Sequence, residues 1–568
     1  MAPGTRSRAR RAVAGAIATT ALALFCACSA LIDHAGSECT TSVDCLKFPG
    51  TECVQGGCVP TTNPEAGVGD LDALATAPCT SSQECVAIHG TNWICRAADS
   101  TCVSLTSEDC ASVAGQYTSD NLVLVGAMLP LLGPHQSTGL ALQDAIRLAV
   151  GDFLGGLPTA TGQLQRAIAV VICDESNDPD RAANFLQMAL RVPVIIGTGE
   201  SATTLMVAND VTVPGGQLLM SPRATADLSA YSASGLVWRT CPSNQLEGDA
   251  LVDLVHQIVV PAAKTQYGLQ TVHVAVVHGT DPDSTDLDAQ LLAALTPPAA
   301  DAGASDAGES TSIASPLVDV SFGDPDMNTA TYSSAISTVT QEGATPDVIV
   351  LVGGTQAVSN VLGGIEANWP AGPHLPLYAL SSGLQTAELL TLVGSNTSLR
   401  TRILGTAPGS NPATYPDLSA FLVRYRATFT DGTIPETFGV AQAYDAFYTI
   451  AYAASITTET QLVGTNVTDA LQQMLRPVSG VAPMTYDVGP GELSTVLAAL
   501  QTGSPIALNG ASAPLAFDIT TGDMVSDVQV WCITGGQGDA GDGFEATGAA
   551  YSASQGVLTG TVAAYCQQ

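Results

Sequence analysis

Residues 192–244 read VPVIIGTGESATTLMVANDVTVPGGQLLMSPRATADLSAYSASGLVWRTCPSN. The apolar run Val194, Ile195, Ile196 stops at Gly197-Thr198-Gly199 and passes into a hydroxyl-rich turn that opens a helix at Ser201. A second apolar run, 218–220, breaks at Ser221-Pro222 into another polar turn, Ala224-Thr225. Short Val/Ile/Leu runs without polar alternation are strands covered on both faces, the habit of parallel sheets flanked by helices. In such sheets ligands sit in the crevice beyond the carboxyl ends of the strands. Helix starts placed there offer free N–H groups and a positive dipole end to a carboxylate. The stretch therefore points to a pocket for a small polar ligand, and to binding rather than chemistry.

The same texture extends on both sides. Strands are expected at 122–128, 167–172, 273–277, 317–321 and 348–352, alternating with helices at 138–153, 181–190, 201–207, 246–258, 286–295 and 331–341. Roughly ten strand–helix units exceed what one open sheet holds, which predicts two α/β lobes. The segment 299–315, rich in Ala, Asp, Gly and Ser, reads as a low-complexity surface loop.

Composition narrows the function. Of 568 residues only 12% are charged, the net charge is −34, and no basic cluster follows the N-terminus. Phosphate binding needs clustered Lys and Arg, so nucleic acid is not a partner. Arg6, Arg8, Arg10 and Arg11 precede an apolar stretch at 12–25 that is too short to span a bilayer and reads as a signal peptide, 1–27. It runs into Phe25-Cys26-Ala27-Cys28-Ser29, which resembles a bacterial lipobox. Lipidation is expected at Cys28, with Cys26 and a plainly cleaved secretory signal as alternatives, and Ser29 favours the outer membrane.

Nine of the 15 cysteines fall between Cys39 and Cys110. Cys39, Cys45, Cys53 and Cys58 form one cluster; Cys79, Cys85, Cys95 and Cys102 form a second that opens on the same Cys-Thr-(Thr/Ser)-Ser pattern. Segments this small fold only when cross-linked, so 28–118 reads as a disulfide-stapled region of two units, 39–58 and 79–110. Zinc is the rival, but CxxC spacing and paired His are missing. Connectivity stays open there. Cys532 and Cys566 are expected to bridge the C-terminus.

The order of segments carries a resemblance. NLVLVGAMLPLLGPHQSTGLALQDAIRLAVGDF, VVICDESNDPDRAANFLQMAL, VIIGTGESATT, LLMSPRAT and VWRTCPSN follow one another as in the type I periplasmic-binding-protein superfamily, above all its leucine/isoleucine/valine-binding branch. Pro346-Asp347-Val348, the 421–429 and 443–448 helices and Leu515-Ala516-Phe517-Asp518 continue the similarity to about residue 535. The resemblance implies two doubly wound parallel-sheet lobes joined by a three-strand hinge, with the disulfide-rich segment in front. The first lobe would comprise 119–242 and 408–508, the second 243–407 and 509–568. It also implies ligand capture between lobes that close on a hinge, no enzymatic activity and no cofactor. An ABC permease is the implied partner.

By the same resemblance, Ser201, Ala202, Arg223 and Thr225 would hold the ligand's carboxylate and ammonium in the first lobe. The plainer alternative makes Ser201 a helix cap and Thr225 a turn hydroxyl. In the second lobe Thr355, Gln356 and Ser382 occupy the corresponding turns, Gly353-Gly354-Thr355-Gln356 and Leu380-Ser381-Ser382-Gly383, which lack the family's aromatic and carboxylate. A buried ammonium without a counter-charge is costly, which weakens an ordinary α-amino acid as ligand. Where the family has a Tyr-Gly-x-Gly turn, this chain has Gly279-Thr280-Asp281-Pro282-Asp283-Ser284-Thr285-Asp286. That segment reads as a solvated helix-capping loop rather than a calcium loop, lacking the EF-hand Gly and Glu. His135 reads as a surface-loop histidine. A receptor-like or structural envelope lipoprotein that keeps the fold without transport is the alternative function.

Overall fold

The computed structural model describes residues 51–54, 57–60 and 78–568, apart from 158–165, 297–312, 325–328, 373, 460, 536–542, 564, 565, 567 and 568. The signal segment, Cys28, Cys39, Cys45 and the 299–312 part of the low-complexity loop lie outside them. The chain divides at residue 75 into two units. In the first, the described backbone is one antiparallel hairpin, Thr51–Val54 with Gly57–Pro60, in which Cys53 stands opposite Cys58.

The second unit begins with the later cysteine cluster. A helix, Ser82–His89, packs on a hairpin of Trp93–Arg96 and Thr101–Ser104. Disulfides join Cys79 to Cys95 and Cys85 to Cys102. The sulfurs of Cys79, Cys85 and Cys95 are close together, as a metal site would require, but these bonds engage all three. A third disulfide, Cys110–Cys173, ties the cluster to the strand Ala167–Asp174. The strand Ser112–Gly115, which the sequence places in the cysteine-rich region, pairs antiparallel with that same strand. The cysteine cluster thus grows directly out of the first lobe's sheet edge.

The first sheet has six strands in the order 237–239, 218–221, 194–196, 122–129, 167–174 and 112–115, parallel except for the last. Gln136–Gly156 and the strongly apolar Val440–Ile456 cover it; the second helix buries Tyr444, Phe447, Tyr448 and Tyr452 in one core with Phe153. Burying several large aromatic side chains in one cluster is a main stabilising contribution of this lobe. The hairpin of 516–517 and 524–525 packs here too: Phe517 lies 5.5 Å from Trp238, and Leu515 and Met524 join the same core. The sequence reading gave this hairpin to the second lobe; its apolar face belongs with Trp238 instead.

The second sheet runs 318–321, 274–278, 348–352, 377–380 and 403–408 in parallel, then 528–534, 543–552 and 557–559 antiparallel. Cys532–Cys566 anchors its C-terminal edge, as the sequence predicts. Chain crossings between the lobes fall near 240–244, 408–412 and 525–528. There Thr240 Oγ1 donates to the Gln442 carbonyl, Gln442 Nε2 to the Pro408 carbonyl, and Gly409 N to the Asp527 carbonyl. The fold is that of a type I periplasmic binding protein, with both sheets ending their parallel strands toward a shared cleft. Among the described residues no helix is long and apolar enough to cross a membrane.

Candidate functional site

A cavity of about 70 Å³ lies between the lobes. Its first-lobe wall begins where the strand Val194–Ile196 ends. The Gly197-Thr198-Gly199 turn is held from behind by Glu175, which accepts a bond from Gly199 N at 2.8 Å. Glu175 is 5% exposed and its Oε2 has no hydrogen-bond partner among the described residues; burial pushes its carboxyl up to about 8, so it is protonated at neutral pH. Beyond the turn Ser201 starts the helix Ser201–Val207 and is buried.

The second first-lobe turn, 221–226, is fixed by Arg239. Its Nη1 donates to the carbonyls of Ala224, Thr225 and Ala226 at 3.1, 3.1 and 2.8 Å, and its other nitrogens pair with Asp523 at 2.7 and 2.6 Å. With the carbonyls turned toward Arg239, the Thr225 hydroxyl faces the cleft. Arg223 does not offer its charge freely: Nε donates to the Gly199 carbonyl, Nη1 to the Phe438 carbonyl, and Nη2 lies 3.6 Å from Glu200.

The second lobe contributes Gln356 and Ser382 to the cavity wall; Thr355 is buried beside them and is not part of the lining. Ser382 is already engaged. Its N–H and Oγ donate to Glu247 at 2.6 and 2.8 Å, and Thr406 Oγ1 approaches the same carboxylate at 3.3 Å. Glu247 is fully buried, and burial raises its carboxyl to about 7 against these bonds. Neither this carboxylate nor the aromatic Phe322, which also lines the cavity, comes from the turns where the family pattern looks for them.

The decisive contact spans the cleft. Asp283, one residue into the helix Pro282–Leu295, directs Oδ1 between the two first-lobe hydroxyls: Ser201 Oγ donates at 2.6 Å and Thr225 Oγ1 at 2.8 Å. Asn244 Nδ2 donates to the Asp283 carbonyl at 3.1 Å, and Asp227 N to Asp286 Oδ2 at 3.3 Å. Asp281 does cap the helix, accepting from Ser284 N at 3.0 Å. Asp283, however, is no solvated loop carboxylate. Nor is Ser201 a cap: the N-cap position is Glu200, and the Ser201 hydroxyl also accepts from Ala226 N at 3.3 Å. His135 is likewise drawn inward, with Nδ1 3.4 Å from Glu200 Oε1. The site thus unites Ser201, Ala202, Arg223, Thr225, Gln356 and Ser382, and adds Asp283, Glu247, Phe322 and His135.

The architecture and the cleft define a class, the two-lobed solute-binding proteins. Residues 123–488 match the family model described as periplasmic binding protein, and the chain belongs to that family. Similar solved structures include the branched-chain amino acid transporter substrate-binding protein LivJ of Streptococcus pneumoniae in complex with isoleucine (16% identity, 75% of this chain and 99% of that one, TM-score 0.52). The leucine-binding protein LivK of Thermotoga maritima gives 16%, 74%, 97% and 0.51. A solute-binding protein of Rhodopseudomonas palustris in complex with 3,4-dihydroxybenzoic acid gives 16%, 78%, 98% and 0.51. No curated protein matches the chain.

Proposed function

We propose that this protein is an extracytoplasmic solute-binding lipoprotein, anchored through Cys28 at the periplasmic or outer surface, that captures a small polar ligand between its lobes for an ABC permease. The observation that carries the reading is the pair of hydroxyls, Ser201 and Thr225, converging at 2.6 and 2.8 Å on one carboxylate oxygen inside a cavity walled by both lobes. A hydroxyl pair of this kind desolvates a carboxyl group without leaving it unsatisfied. Relatives of the same fold hold isoleucine and 3,4-dihydroxybenzoic acid, both carboxylates. The second reading, a receptor-like or structural envelope protein, is favoured by one feature: the oxygen between the hydroxyls belongs to the chain itself.

Thermal shift of the full-length mature protein against amino acids, amides, amines and small carboxylates tests the first reading. A saturable rise with at least one compound supports it, by about 2.7 kcal/mol of apparent stability at a hundredfold excess over Kd. No response at millimolar concentrations leaves the second reading.

A further inference from the structure

We propose that Asp283 stands in for the ligand's carboxylate, and that the cleft therefore takes a small cation, an amine or guanidinium without a carboxylate of its own. This deepens the solute-binding reading and rests on it. Both first-lobe hydroxyls donate to Asp283 Oδ1, so the anchor for an incoming carboxylate is filled. The hydrogen bonds that the Asp283 carboxylate accepts from the described residues both go to Oδ1, which leaves Oδ2 on the cavity wall available to a donor.

Acidic groups outnumber basic ones around it. Glu200, Asp281, Asp283, Asp324 and the buried Glu247 line the cavity, whereas Arg223 is its single permanent cation among the described residues and is turned onto two carbonyls and Glu200. A second anion brought into that lining would meet net repulsion from Glu200, Asp281, Asp283 and Asp324, whereas a cation supplies counter-charge. Burial, with Asp281 and Glu200 nearby, raises the Asp283 carboxyl to about 6, the response of a carboxylate lacking a positive neighbour. Phe322 also lines the cavity, and an aromatic face favours a cation, whereas the Phe438 ring already carries the Arg223 guanidinium 5.3 Å from its centroid.

Size limits the choice. The cavity is small, about 70 Å³, which suits compact cations such as ethanolamine or methylguanidine. Asp283 belongs to the second lobe and its hydroxyl partners to the first, so a cation held on Oδ2 sits at the contact that joins the lobes.

The test is calorimetric titration of the full-length mature protein with ethanolamine, methylguanidine, acetate and alanine, on wild type, Asp283→Asn and Asp283→Ala. Circular dichroism confirms that both variants fold. Wild type is expected to bind at least one of the cations and neither carboxylate. Asp283→Asn keeps an oxygen for the hydroxyls and is expected to lose roughly thirtyfold or more in cation affinity, the usual cost of removing one member of a close charge pair. Asp283→Ala frees Ser201 and Thr225 and is expected to gain acetate or alanine binding. Wild-type binding of acetate or alanine in preference to the cations overturns the proposal and leaves the solute-binding reading standing. Cation binding unchanged in Asp283→Asn also overturns it. Silence of wild type toward all four, with carboxylate binding appearing in Asp283→Ala, overturns it in favour of a self-plugged cleft. Silence of all three proteins toward all four compounds also overturns it, and the broader thermal-shift panel then decides whether the solute-binding reading stands.

Discussion

Replacing Arg239 by methionine isolates what holds the binding turn in place. Methionine keeps much of the volume of the arginine stem, so packing changes little and the lost hydrogen bonds dominate. Three carbonyls lose a donor, but not equally. Thr225 keeps the Asn244 N–H at 2.8 Å, Ala224 keeps only the Cys241 thiol at 3.4 Å, and Ala226 keeps nothing. Residues 224 and 226 are almost fully buried, so water does not replace the guanidinium. The orphaned Ala226 carbonyl and the Ala224 carbonyl left with only a weak thiol donor, at about 1–3 kcal/mol each, predict a loss of about 4 kcal/mol. The Asp523 pair adds little, because that carboxylate is 36% exposed and rehydrates. If the first lobe, roughly 230 residues, unfolds on its own, its entropy of about 0.5 kcal/mol/K turns the loss into a fall in Tm of about 8 °C; cooperative unfolding of the whole two-lobed unit halves it. Differential scanning calorimetry under oxidising conditions reads the shift. Asp523→Asn is the control and should cost under about 1 kcal/mol. An Arg239→Met protein within about 1 °C of wild type, or a control that falls as far as the variant, refutes the reasoning that the carbonyls carry the effect.

Two further outcomes follow from the same chemistry. Glu175, Glu247 and Asp445 have carboxyls raised by burial to about 8, 7 and 7, from 4.5, 4.5 and 3.8 when free. The folded state therefore holds protons that the unfolded state has released, and their stabilisation, complete below about pH 4, is lost as pH rises through 7 and 8. Tm should fall between pH 6 and 8.5, where exposed acids no longer titrate, and Glu175→Gln should flatten the slope; a Tm that rises over this range contradicts the assignment. The second concerns the cysteine repeat. In the later unit the third and fourth cysteines, Cys95 and Cys102, face each other across a hairpin yet bond to Cys79 and Cys85. Cys53 and Cys58 face each other in the same way in the earlier hairpin. The shared pattern predicts Cys39–Cys53 and Cys45–Cys58, to be read by mass spectrometry of non-reduced peptides; a Cys53–Cys58 bridge would break the analogy.

What could be read in the sequence and what could not divide along a physical line. Unbroken Val/Ile runs such as 194–196 and 348–352 announce parallel strands because both of their faces are covered, and the hydroxyls that follow them, Ser201 and Thr225, sit on the cleft wall by the geometry of any such sheet. Those features are local. The groups that were missed reach the site from elsewhere: Glu247 from the helix after a hinge crossing, Phe322 from a strand end, His135 through its pairing with Glu200, and Asp283 across the cleft. No periodicity encodes a contact 82 residues apart between two lobes. One sign of it was nevertheless present, in the replacement of the expected Tyr-Gly-x-Gly turn by Asp281-Pro282-Asp283-Ser284. Proline at the first helical position and the Asp281 cap start the helix at residue 282, which carries Asp283 on its first turn, facing the opposite lobe. The capping chemistry was read correctly, but its consequence was not: a cap that fixes where a helix begins also fixes where the next carboxylate points. The turns 353–356 and 380–383 of the second lobe carry no acid, and the negative charge that meets the first lobe's hydroxyls comes instead from this helix start.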